Sequence, residues 1–201
     1  MTQTLTGLFD RYDDAQRAVK DLEAAGVPHR DVSIVANNGR GDHAEAVATD
    51  AATDAGAGAG IGAAIGGAGG LLAGLGLLAI PGLGPVVAAG WLAATAVGAV
   101  GGAAIGGAAG GLVGALTHAG VPEEDAHVYA EGVRRGGSLV TAKVDEPLVP
   151  TARAILADDR TVNIAARRDD YRLEGWNRFD ETAPAYTPEQ IDAERGRYDR
   201  L

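Results

Sequence analysis

Residues 4–37 read "TLTGLFDRYDDAQRAVKDLEAAGVPHRDVSIVAN", and this stretch decides the fold class. Its first residues alternate and then become apolar, which is typical of a short strand. A helix is expected next, with Asp10 as its cap, one apolar face, and Gly26 as its stop. The β-branched residues that follow, 31–37, predict a second strand. The order of these elements predicts a βαβ unit.

A second set of elements follows near residue 121. The stretch "VPEEDAHVYAEGVRRGG" at 121–137 has acids at its start and arginines at its end, which complements a helix dipole. Residues 138–144 predict a strand, 146–159 a short helix, and 161–166, "TVNIAA", a last strand. The chain is therefore expected to form an α+β fold, a small ferredoxin-like sandwich with the order βαβ, insert, αβαβ.

The insert between the two halves is the uncharged stretch 55–117, which holds 21 of the 31 glycines. Small residues recur at every fourth position, a helical spacing, so two helices are predicted at about 57–80 and 85–117. The glycines expected to pack these helices are Gly58, Gly62, Gly66, Gly70, Gly74, Gly90, Gly98, Gly102, Gly106, Gly110 and Gly114. The hairpin turn is assigned to "PGLGP", that is Pro81, Gly82, Gly84 and Pro85.

Stripes of small residues let two helices approach closely, backbone to backbone. Each interior glycine costs about 0.8–1 kcal/mol relative to alanine, so these helices need a packing partner. At roughly 1.5 Å per residue both are long enough to cross a bilayer, and the hairpin tip at Gly82–Gly84 would then lie at the far interface. Glycine and alanine are only weakly lipophilic, however, and the nearest flanking charges are acidic. The partner is therefore either lipid or other copies of the hairpin.

The chain is thus divided into five parts. They are a first half-domain at 1–37, a linker at 38–54, the glycine-zipper hairpin at 55–117, a second half-domain at 118–167, and a C-terminal arm at 168–201. The arm combines many charges with five aromatic residues and contains a predicted short helix capped by Thr187. We expect it to dock on its own domain or on a neighbouring subunit through Trp176, Phe179 and Tyr186.

Composition excludes several functions. The net charge of −10 disfavours nucleic acid as a partner, and the chain has no cysteine. His127 lies four residues from Glu123 and from Glu131, a spacing that could hold a metal, but a charged surface stripe on a helix is the preferred interpretation. No catalytic residue, cofactor, metal or small-molecule substrate is predicted, so an enzyme is not expected. The start of the chain has no secretory signal, which favours the bacterial cytosol or its membrane.

The flanking sequences "GLFDRYDDAQRAVKDLEAAGV" and "GVPEEDAHVYAEGVRRGGSLVTAKV", with the glycine-zipper block between them, resemble bacterial general stress proteins of the heat-induced type. The resemblance spans about residues 4–167 and implies a stress-associated, non-enzymatic protein. The function expected is a homo-oligomer whose hairpins insert in the cytoplasmic membrane and reinforce it, with both termini cytoplasmic. The alternative is a soluble cytoplasmic self-assembly, a filament or shell, with hairpins buried against one another.

Overall fold

The computed structural model describes residues 2–41, 77–80, 82–92, 95 and 111–198. These residues form five strands and six helices. The strands are β1 Thr2–Phe9, β2 Val32–Asn37, β3 Leu77–Ile80, β4 Gly84–Gly90 and β5 Ser138–Asp145. The helices are α1 Tyr12–Ala24, α2 Gly111–His118, α3 Glu123–Arg134, α4 Val149–Ile155, α5 Ile164–Leu173 and α6 Pro188–Tyr198.

The strands form one sheet in the order β1-β5-β2-β4-β3, and every neighbouring pair is antiparallel. Because β5 lies between β1 and β2, those two strands run parallel to each other and α1 connects them. This is a split βαβ unit. The predicted βαβ order of residues 4–37 is therefore confirmed, and so is the broad expectation of a fold that mixes helices and strands.

Helices cover both faces of the sheet. Apolar residues of α1 and α4 pack with Phe9, Val140 and Ala142 on one face. On the other face, α2 and α3 pack against Leu8 and Val35. Strand side chains alternate between faces, so neighbours such as Leu8 and Phe9 are both fully buried but in different clusters. The sheet is thus the middle of three layers.

The prediction of helices at 57–80 and 85–117 is wrong at residues 77–80 and 84–90, whereas Trp91, Leu92, Thr95 and the residues of α2 are helical as predicted. Residues 77–80 and 84–90 are strands, β3 and β4, joined by a tight turn in which Gly82 and Gly84 have φ of 74° and 82°. Hydrogen-bonded pairing with β2 outweighs the helical spacing of the small residues, because β4 contains the β-branched pair Val86 and Val87. Within the described ranges, no helix has both the length and the apolar character that crossing a bilayer requires.

The predicted last strand at 161–166 is also wrong. Thr161 makes one isolated bridge to Phe9, and α5 begins at Ile164. The helix starts here because the Asn163 side chain accepts a hydrogen bond from the Ala166 N–H at 3.1 Å, which caps its first turn. The ferredoxin-like sandwich, which depended on this strand, is not confirmed.

Gly90 fixes the pairing of β4 with β2 and yields a test. Its φ is 88°, and a Cβ there would lie 2.3 Å from the Val32 carbonyl oxygen. We expect Gly90→Ala to lower the free energy of unfolding by about 3 kcal/mol or more, since main-chain atoms must move. Gly120→Ala is the matched control, because φ is 94° there with open space around it. Equal losses in urea denaturation would show that β4 does not lie against β2.

Candidate functional site: the arm-binding surface

The turn between β3 and β4 lies against the C-terminal arm. A Cβ on Gly82 would be 2.9 Å from the Phe179 ring and 2.8 Å from the Glu181 Cα. A Cβ on Gly84 would be 2.6 Å from the Ala185 Cβ. The expectation that Gly82–Gly84 is a tip at the far side of a membrane is not supported, because the turn packs against residues 179–185 of the same chain.

The arm ends in a helix that fits a hollow of the domain. Ile191 of α6 is 1% exposed. A Cβ atom on Gly39 would lie 2.9 Å from its Cδ1, and a Cβ atom on Gly136 would lie 2.5 Å from its Cγ2. The start of α6 is fixed by a reciprocal cap between Thr187 and Gln190, as the sequence predicts for Thr187. Glycines at both contact points give this isoleucine the room that it fills.

The three arm aromatics predicted to dock have separate contacts. Phe179 is 4% exposed and belongs to the apolar cluster of α2 and α3. Trp176 lies edge-on to Tyr171, with ring centroids 5.7 Å apart. Tyr186 lies beneath the Arg134 guanidinium, whose Cζ is 5.1 Å from the ring centroid. All of these contacts are made within one chain.

At the centre of this surface is Arg135, directly after α3, which is 7% exposed. Its Nε donates to Glu131 Oε1 at 2.7 Å. Its Nη1 donates to Glu174 Oε2 at 2.6 Å and to Glu194 Oε1 at 2.9 Å. Its Cζ lies 4.0 Å from the centroid of the fully buried Tyr171 ring. Three carboxylates from separate parts of the chain thus meet one cation.

The charges in this cluster stabilise one another. Glu131 is 0% exposed and accepts a second hydrogen bond from Arg134 Nη2 at 2.9 Å. Burial alone lowers the pKa of Arg135, but the hydrogen bonds to Glu194 and Glu131 outweigh it and raise that pKa above its ordinary value. Glu174 and Glu194 bracket residues 179–185, so the cluster holds down both ends of the segment that covers the β3–β4 turn.

A second buried arginine fixes the start of the arm region. Arg167 of α5, 7% exposed, donates from both Nη atoms to the two oxygens of Asp10, each at 2.8 Å. The Tyr198 ring stacks on its other side, 3.5 Å from Cζ. Asp10 outweighs the effect of burial and raises the pKa of Arg167. The predicted role of Asp10 as the cap of α1 is wrong, since Arg11 holds the cap position without a side-chain hydrogen bond.

The interpretation of Glu123, His127 and Glu131 as one charged surface stripe is wrong for Glu131. That carboxylate points into the arginine cluster, whereas His127 Nε2 lies 3.7 Å from Glu123 Oε1. Among the residues that the structure describes, no three or more His, Cys, Asp or Glu side chains are grouped to hold a metal.

A groove of about 710 Å³ runs between α3 and arm residues 175–183. The ionisable residues that line this groove include both acids and bases. They are Glu123, His127, Arg134, Arg178, Asp180 and Glu181. Burial, followed by the charge of Asp180, raises the pKa of the Glu181 carboxyl. The groove marks the seam where the arm meets the domain.

Two of the glycines predicted to pack helices fall within the described residues. Gly90 ends β4 against Val32 and Ser33, and Gly114 lies in the middle of α2. The remaining predicted glycines lie outside the described residues. They are Gly58, Gly62, Gly66, Gly70, Gly74, Gly98, Gly102, Gly106 and Gly110. Pro81 also lies outside them, and Pro85 is in β4, where its carbonyl accepts from the Asn38 N–H at 2.9 Å.

Sequence reasoning missed the arginine cluster. In the sequence pattern, Arg134 and Arg135 only complement the dipole at the end of a helix. The available signal was Glu131, which lies three residues after the apolar Val128 and four before Arg135, so that all three share one helix face. A carboxylate on an apolar helix face needs a buried cation as its partner.

The fold and this surface define a mixed α/β domain that carries its own C-terminal arm as part of its structure. Residues 4–81 of the chain match the family model described as the heat induced stress protein YflT domain. This match runs from Thr4 in β1 to just past β3. It confirms the resemblance to heat-induced stress proteins over these residues, which are less than half of the chain, and suggests a stress-associated role. Neither a search of curated proteins nor a search of solved structures found a match.

Replacing Arg135 tests whether the cluster holds the arm. We expect Arg135→Met to lower the free energy of unfolding by about 3 kcal/mol, because Glu131 keeps a buried charge that has lost its best partner. Urea denaturation measures this loss. Limited proteolysis within residues 174–198 should also become faster, since Glu174 and Glu194 lose the buried arginine that they share and keep only the half-exposed Arg197.

The control is Arg172→Met. Arg172 pairs with Glu124 at 2.9 Å, but both side chains are more than half exposed. Its removal should cost less than about 1 kcal/mol and leave proteolysis unchanged. Similar losses for the two variants would contradict a structural role for the buried cluster.

The fit of Ile191 against Gly136 gives a test of arm packing by itself. Gly136 has φ of 106° and would place a Cβ 2.5 Å from Ile191 Cγ2, whereas Gly26 has φ of 99° and a nearest neighbour at 3.9 Å. Gly26→Ala should cost about 1–2 kcal/mol of unfolding free energy and Gly136→Ala more. In an Ile191→Ala background the cost of Gly136→Ala should fall to that of Gly26→Ala. If Gly136→Ala costs the same unfolding free energy with and without Ile191→Ala, the Ile191 side chain does not pack against Gly136.

Proposed function

We propose that this protein is a non-enzymatic, stress-associated structural protein that self-assembles in the cytoplasm through its glycine- and alanine-rich segments. The observation that carries the proposal is the packing of the β3–β4 turn on arm residues 179–185. A turn held on the domain in this way favours assembly in water over a hairpin that crosses a bilayer.

The uncharged segments that would assemble both join the domain beside β3. Sequence 55–76 leads into β3, and sequence 96–110 leads into Gly111, the first residue of α2. A Cβ on Gly111 would be 3.7 Å from Ile80 Cγ2, so the second segment ends beside β3. Apolar surface of this extent is stable in water only when it is covered. Segments of several chains brought together would cover one another.

The charged groups of the domain support the non-enzymatic part of the proposal. The buried ionisable groups Arg135, Arg167 and Glu131 are bound to other side chains of the domain and arm. Contacts of this kind hold the structure together, which supports a structural role for these three groups. The net charge of −10 also disfavours a nucleic-acid partner. The partner proposed is therefore another copy of the chain.

Light scattering after size-exclusion chromatography tests the proposal on the full chain. Without detergent, we expect recovery in the soluble fraction as a discrete particle of several times the chain mass of 20.2 kDa. Replacing Gly66 and Gly106 together by leucine should reduce that mass, because side chains would fill the groove that small residues leave.

Gly196→Leu is the matched control. Gly196 lies in α6 with open space where a side chain would go, so the same residue change should leave the mass unaltered. A monomeric wild-type chain, an unchanged mass in the double variant, or recovery only in the membrane fraction would each contradict the proposal.

A further inference from the structure

Strand β1 is one edge of the sheet, and its outward backbone groups can be assigned. In an antiparallel pair, the N–H and C=O of one residue face the same neighbour, and successive residues alternate. The Leu8 carbonyl accepts from the Val162 N–H at 2.8 Å, away from β5. The backbone groups of Thr2, Thr4 and Thr6 therefore face outward with those of Leu8, whereas Leu5 and its alternate neighbours face β5.

Only the C-terminal end of this edge is covered by the described residues. Thr161 and Val162 lie beside Phe9 and Leu8. The Thr6 carbonyl is 3.4 Å from the Tyr129 hydroxyl, a long contact that leaves its second lone pair unused. In the described parts of the chain, the outward N–H and C=O groups of Thr2 and Thr4 make no hydrogen bond.

We propose that this edge binds β1 of a second copy, antiparallel, about a two-fold axis at Thr4. The inference rests on the proposed self-assembly and names a first pairing surface for it. Outward residues must face outward residues, so Thr4 pairs with Thr4 of the second copy, and Thr2 pairs with Thr6. Each of these pairs exchanges two hydrogen bonds. The register stops short of Leu8, whose carbonyl is occupied by Val162.

The side chains of the edge are self-complementary in this register. Threonine stands opposite threonine at all three pairs on one sheet face, and cross-strand threonine pairs stabilise sheets.

Charge does not oppose the pairing, although the chain is strongly acidic. Residues 2–9 carry no charged side chain, and they lack the lysine or proline with which edge strands avoid each other. The nearest lysine, Lys143 of β5, is opposite Thr4, but its Nζ lies over the Trp91 ring at 3.9 Å from the centroid. A second copy is therefore the partner that this uncharged strand fits.

Cysteine cross-linking of the full chain tests the register, since the natural sequence has no cysteine. Two Thr4→Cys residues meet at the axis with Cα atoms about 5.5 Å apart, within disulfide range. Gln3→Cys places its pair two residues out of register. We expect Thr4→Cys to form a covalent dimer under mild oxidation, roughly tenfold faster than Gln3→Cys.

Leu173→Cys controls for random collisions, because that side chain is 88% exposed on α5. It should cross-link no faster than Gln3→Cys. If Thr4→Cys reacts no faster than Leu173→Cys, the proposed axis is wrong.

A proline variant separates this edge from the glycine-rich segments. Thr4→Pro removes only an outward N–H, which an edge strand tolerates, so the domain should keep its circular dichroism spectrum. In the chain with Gly66→Leu and Gly106→Leu, we expect twice the mass of 20.2 kDa, and adding Thr4→Pro should reduce it to a single chain. Thr4→Val, which keeps the N–H, should retain the double mass.

The two proposals fail in distinguishable ways. If the glycine variant is already a single chain, the β1 pairing is overturned while assembly through the segments stands. A double mass that Thr4→Pro leaves unchanged also overturns the pairing. If the wild-type and glycine variant both have the double mass and Thr4→Pro abolishes it, the pairing stands and the segment proposal fails.

Discussion

One buried guanidinium, Arg135, ties the outer parts of this molecule to its centre. It binds Glu131 on its own helix, and it binds Glu174 and Glu194 at the two ends of the segment that covers the β3–β4 turn. Glu131 and Glu194 are buried, so both carboxylates need a cation in the folded chain, whereas Glu174 is exposed and also pairs with Arg197. The placement of the arm, and through it the packing of the turn, follows from this one contact.

Glycine serves close approach in the described part of this fold, but between strand, turn and arm more than between helices. Gly90 lets β4 lie against Val32, and Gly82 and Gly84 let the turn contact Phe179 and Ala185. The same lack of side chains that suggested a helix interface thus permits a compact sheet edge under the arm. In the proposed assembly, packing through small residues between chains is limited to the uncharged segments 55–76 and 96–110.

The sequence predicts those elements whose signals are local. The β-branched run before Asn37 and the acids and arginines at the ends of α3 identify their elements correctly. Strands β3 and β4 escape prediction because their sequences, which include Ala79 and Ala88, do not alternate between apolar and polar residues. The glycine spacing around them is also helical. The Arg135 cluster escapes because Glu174 and Glu194 lie 39 and 59 residues away along the chain. Such pairs are set by how the helices pack, which no local pattern shows.

Strand β4 belongs to the sheet, and the turn at Gly82–Gly84 that precedes it lies beneath the arm. Hydrogen exchange on the intact chain tests the placement of β4, because amides exchange slowly where a stable sheet binds them. The amides of Val87 and Ala89, which pair with Ala36 and Ile34, should be protected about as well as those of β2 itself. Exchange of the Val87 and Ala89 amides at the rate of an unpaired chain, with β2 still protected, would contradict the account.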